Sequence, residues 1–204
     1  MSDRFDVLRS WIRAAADRAV GRASESRLAT ATKQILERLT QQLWRLSDDA
    51  LTTAAAHAEG VDSAMVACRR GRIFVDASLT SGREVQFSLA PLSVRFAPRG
   101  AKEISFDVEP PGAFDHSIVG ALAASIAKAT WPMIFSVDTQ EIGSAIVERE
   151  SAERVRVDLR TVPAVRRFAS RGTAAMIFDV LELESIRVEP GALALKLKLP
   201  QLAP

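Results

Sequence analysis

The feature that most constrains this chain is a change of hydrophobic period. From Asp3 to about Ala58 the apolar residues recur three and four apart, the spacing of one helix face. From about Val61 to Pro110 they alternate, as they do along a strand with one buried side. Helical spacing returns from about Phe114 to Trp131, and alternation returns from Arg154 to Leu199. The two periods cannot share one element, so each switch marks a change of secondary structure. Segregated runs of helix and strand predict an α+β fold. The expected architecture is a curved antiparallel β-sheet packed against long α-helices. An N-terminal helical segment over 1–60 then shares one core with a sheet and its inserted helices over 61–204.

The first helix is expected over Asp3–Val20, with Phe5, Leu8, Ile12, Ala15 and Ala19 on one stripe and Gly21 as its stop. A longer helix is expected from Ser24 or Ser26 to the region of Ala58. Its residues Leu36, Leu39, Leu43, Leu46 and Ala50 form a short heptad-like seam. Ser47-Asp48-Asp49 offers a cap for a restart within it. Asp115 caps a helix with Ile118, Leu122, Ile126 and Ala129 inward, ending at Trp131-Pro132. A short helix is read over Asp138–Val147, with Ile142 and Ile146 inward, and a short basic one over Ala164–Ser170 after Pro163.

The strands read more plainly. Ala64–Cys68, Arg72–Leu79, Glu84–Leu89, Leu92–Phe96 and Ile104–Val108 alternate between turns at Arg69-Arg70-Gly71, Ser81-Gly82, Pro91 and Pro98-Arg99-Gly100. Connections this short make an antiparallel meander. Arg154–Leu159 is a further strand. Leu183–Val188 and Ala192–Leu199 form a closing hairpin around Pro190-Gly191.

Composition excludes several classes. At 204 residues, 48% hydrophobic and 25% charged, the chain suits one ordinary globular core. Its net charge of +2, with acids and bases interleaved, exerts little pull on polyanions, and no aromatic is placed to stack bases, so nucleic acid is not an expected partner. No run approaches the roughly 20 apolar residues that cross a bilayer. Met1–Val20 lacks the continuous apolar stretch of a secretory leader, so the expected location is cytoplasmic.

Motifs that carry chemistry are missing. His57 and His116 lie in different elements, neither with a second ligand at helical spacing, so neither a metal nor another cofactor is expected. No glycine-rich phosphate loop occurs. The lone Cys68 sits in an apolar alternation and reads as a buried small hydrophobe. Glu182 with Glu184, and Glu148 with Glu150, read as solvated faces. No catalytic residue is assigned, and an enzyme is not expected.

Two features point to binding instead. Arg156 and Arg160 on one strand, with Arg166 and Arg167 on the next helix, are a candidate anion site. Trp131, Met133 and Phe135 form an apolar segment where loops are usually polar. With Leu122 and Ile126 of the preceding helix they are candidate ligand contacts. The first helix, with Phe5, Trp11 and its arginines, is a candidate for peripheral membrane contact. In element order from Val61 to Leu199 the chain resembles the tubular lipid-binding (TULIP-like) modules, which hold a lipid between a bent sheet and a long helix. That resemblance implies a non-enzymatic binding protein for a lipid or other apolar or amphipathic ligand. The alternative is an interaction module that forms homo-oligomers through the seam Leu36–Ala50.

Overall fold

The computed structural model describes residues 43–96, 100–130, 142–169 and 182–198. The expected helix over Asp3–Val20 and most of the second helix lie outside the described residues. The described chain runs β1 (Leu43–Ser47), α1 (Asp48–Ala56), β2 (Val61–Arg69), β3 (Arg72–Leu79), β4 (Glu84–Phe96), β5 (Lys102–Glu109) and α2 (His116–Thr130). It continues through β6 (Ile146–Arg149), β7 (Arg154–Asp158), α3 (Pro163–Ala169), β8 (Glu182–Glu189) and β9 (Ala192–Lys198).

More than half of the described residues are in strands, and these form two antiparallel sheets rather than one. The larger has the order β2-β3-β4-β5-β7-β6 and the smaller β1-β9-β8. Three short helices accompany them among the described residues. This corrects the expected fold class: the described part is mainly β, without long helices laid on a sheet.

The correction has a local cause. Leu43–Ser47, expected within a long helix, is β1, with Leu43 exposed and Trp44 and Leu46 packed on the core. Trp44 lies opposite Leu195 and Leu46 opposite Leu193. Four residues reading Leu-Trp-Arg-Leu satisfy either period, and apolar cross-strand pairs decide between them. A helix starts directly after it. Ser47 Oγ accepts from the backbone N–H of Ala50 at 3.2 Å and caps α1, which lasts nine residues.

A second correction concerns Asp138–Val147. Residues 138–141 lie outside the described set. Ile142 is buried as expected, but Ile146 is 58% exposed and opens the edge strand β6. Glu148 and Glu150, read from the sequence as a solvated face, lie on and just beyond that strand.

The meander follows its alternation. Ile73, Val75 and Ala77 of β3 and Ile104, Phe106 and Val108 of β5 are buried, and the residues between them, polar except for Phe74, face outward. Arg70 and Gly71 both take positive φ, at 52° and 75°, the geometry of the tight hairpin turn that suits strand twist. β4 is a single strand of 13 residues, and its register shifts between Pro91 and Ser93. Pro91 has no N–H to offer the ladder, so the chain bulges there instead of breaking.

α2 is buried around most of its circumference, as a helix with apolar residues on nearly every side must be. Asp115 Oδ1 accepts from Ser117 N at 2.9 Å and Ile118 N at 3.2 Å, satisfying two orphan donors at its start. Gly120 lets another segment come close: its carbonyl accepts from Ala145 N at 3.1 Å. Side chains of both sheets, α1 and α2 meet in one core cluster.

Candidate functional site

The residues singled out by sequence separate in the structure. Leu122 and Ile126 are 3% and 1% exposed and belong to the core. Trp131, Met133 and Phe135 lie outside the described residues. Arg166 and Arg167 are exposed on α3.

Arg156 and Arg160 already have carboxylate partners. Arg156 Nη2 donates to Glu148 Oε2, and the guanidinium also faces Glu103 at 3.8 Å and Glu150 at 3.6 Å. The Glu148 hydrogen bond, then the charges of Glu148 and Glu103, raise its pKa further. Arg160 Nη2 donates to Asp158 Oδ2 at 2.8 Å, and that bond raises its pKa despite partial desolvation. These two arginines are neutralised where they stand, which leaves little positive field to hold an external anion.

Such neutralisation extends across the outer face of the larger sheet. Glu103 also meets Arg95 at 3.5 Å. Arg72 donates to Ser88 Oγ at 2.8 Å and to Asp107 Oδ2 at 2.9 Å. Gln86 donates to Asp76 Oδ2 at 3.1 Å. Most of these pair neighbouring strands, while Arg72 reaches across β4 from β3 to Asp107 on β5.

The edge of β2 is occupied by α1. Thr52 Oγ1 accepts from Val66 N at 2.9 Å and donates to Val66 O at 3.4 Å. Asp48 Oδ1 accepts from Cys68 N at 2.9 Å, and Cys68 O accepts from Gly191 N at 2.9 Å. The thiol of Cys68 is buried here. Burial first, then its hydrogen bond to Asp48 and that residue's negative charge, push its pKa up to about 12. It is a structural thiol and not a nucleophile at neutral pH, in line with the sequence reading.

One hollow opens beside α2. It holds about 40 Å³ and is lined by Ala54 and His57 of the α1 end, Ala121, Ala124 and Ser125 of α2, and Ile142–Ser144. Ser125 is only 8% exposed. His57 Nδ1–H donates to Thr53 O at 2.6 Å, which fixes the ring. In sequence His57 lacks a second metal ligand, and nothing in the spacing brings it to Ser125, since their meeting depends on how α1 and α2 pack. His116, the other histidine, packs at a tilt against Phe114 with ring centroids 4.7 Å apart.

Among the described residues no group of three or more His, Cys, Asp or Glu side chains is placed to hold a metal ion. No helix among them is long and apolar enough to cross a membrane. No protein-family model, curated protein or solved structure matches this chain.

Proposed function

We propose that the chain is a non-enzymatic binding module for a lipid or another apolar or amphipathic ligand, acting in the cytoplasm. The observation that carries this reading is the position of α2. The helix is buried around most of its circumference, and the chain leads directly from it into Trp131-Pro132-Met133-Ile134-Phe135. Five residues without a charged side chain follow the buried helix, a composition suited to apolar contact. Leu122 and Ile126 act by anchoring the helix, and Trp131, Met133 and Phe135 make the apolar contact.

The alternative, oligomerisation through the seam Leu36–Ala50, loses two of its members, because Leu43 and Leu46 are in β1.

The test is titration of the purified full chain with a fluorescent fatty acid, beside a Trp131→Ser, Phe135→Ser double variant. Saturable binding that weakens at least tenfold in the variant, with an unchanged circular dichroism spectrum, is expected. Absence of saturable binding to the parent chain refutes the reading.

A further inference from the structure

The hollow beside α2 has the chemistry of a binding site for a hydroxyl group. Ser125 is more than nine-tenths buried, yet its hydroxyl makes no hydrogen bond to the described residues. A buried hydroxyl left without a partner is costly, so natural proteins supply one from protein, water or ligand. His57, exposed at the rim of the hollow, offers a second polar group. A carbonyl oxygen can only accept, so Nδ1 carries the proton in its 2.6 Å bond to Thr53 O. In the neutral ring Nε2 is then a bare acceptor. Ser144 adds a second hydroxyl to the lining.

Charge narrows the occupant. Among the described residues no Lys, Arg, Asp or Glu lines the hollow. His57 caps the C-terminal end of α1, where its own N–H and the last carbonyls of the helix gather. That end of a helix repels anions. An ammonium ion would find no carboxylate among these described lining residues. What fits is a neutral group that donates to the imidazole and exchanges a hydrogen bond with Ser125, which describes water or an alcohol. The volume of about 40 Å³ admits two or three waters, or a single terminal hydroxyl with the carbon that bears it.

We propose that this hollow binds a hydroxyl group between His57 and Ser125: an ordered water in the free protein, displaced by the hydroxyl of a small alcohol. This stands whether or not the apolar segment after α2 binds a lipid.

NMR on the full chain tests both sources. In the free protein, water cross-relaxation to the methyl groups of Ala121 and Ala124 reports a resident water. Titration with ethanol then follows the His57 ring nitrogens and the amides of Gly143 and Ser144. The expected result is a water signal at those methyls, lost along a saturable ethanol curve, with the apparent Kd raised at least fivefold by Ser125→Ala and by His57→Phe. Ala is a better helix former than Ser, so the first variant keeps the fold even where the second does not. A methyl pair without water contact, or ethanol shifts that stay linear or are unchanged in Ser125→Ala, overturns the proposal.

Discussion

Thr52 and Val66 complete each other across the junction of α1 and β2: one hydroxyl both accepts from the Val66 N–H and donates to the Val66 carbonyl. Four residues earlier in the helix Asp48 accepts from Cys68, two residues later in the strand. The spacings agree because four helical residues rise about 6 Å and two strand residues about 6.7 Å. A helix thereby stands in for a seventh strand on an edge that would otherwise present unpaired backbone groups.

Thr52→Val keeps the shape of the side chain and removes both bonds. Leaving the Val66 amide unpaired is expected to cost about 1–3 kcal/mol. Urea denaturation measures it, and light scattering reports self-association through the opened edge. A variant as stable as the parent, and equally monodisperse, removes the edge-guard role.

Gly120→Ala sets two effects against each other. Helix propensity alone favours alanine by about 1 kcal/mol. The added Cβ, however, meets the Ala145 carbonyl oxygen at 2.6 Å, a backbone atom that cannot swing away. Overpacking of this kind costs about 1–3 kcal/mol, so net destabilisation is expected. Thermal denaturation decides the sign, and a raised Tm contradicts the close approach.

Arg156→Gln removes the hub joining Glu148, Glu103 and Glu150. The cluster is open to solvent on the sheet's outer face, so the loss is expected to stay below about 1 kcal/mol and to shrink as salt is added. A loss of several kcal/mol that is independent of salt would show the cluster to be effectively desolvated.

Cys68 supplies a pH dependence with a definite sign. Its folded pKa of about 12 lies above the ordinary thiol value of 9.0. The folded state therefore holds a proton that the unfolded state releases. The contribution is fully present below pH 9 and is lost as pH rises toward 12. Above pH 9 the parent should lose stability faster than Cys68→Ala in urea titrations. At pH 8 iodoacetamide should label the thiol only after unfolding. Rapid labelling of the native chain contradicts the burial.

The strands were legible because their alternation is long and unambiguous. Ile73-Val75-Ala77, Ile104-Phe106-Val108 and Leu193-Leu195-Leu197 each bury the face their spacing predicts. α2 was legible because Asp115 caps it and its stripe runs through Ile118, Leu122 and Ile126. β1 was not, since Leu43–Leu46 fits both periods and its partner β9 lies some 150 residues away in the chain. The neutralisation of Arg156 needed the register that sets it opposite Glu148. The meeting of His57 with Ser125 depends on helix packing, which leaves no mark on spacing.

The most direct test of the central claim is native mass spectrometry of the full chain purified without detergent, followed by organic extraction of the bound material. The binding-module account predicts a mass excess that disappears on extraction and is recovered as a lipid or another amphipathic compound, one per chain. A chain that carries no ligand, and takes up none when mixed with lipid vesicles, contradicts it.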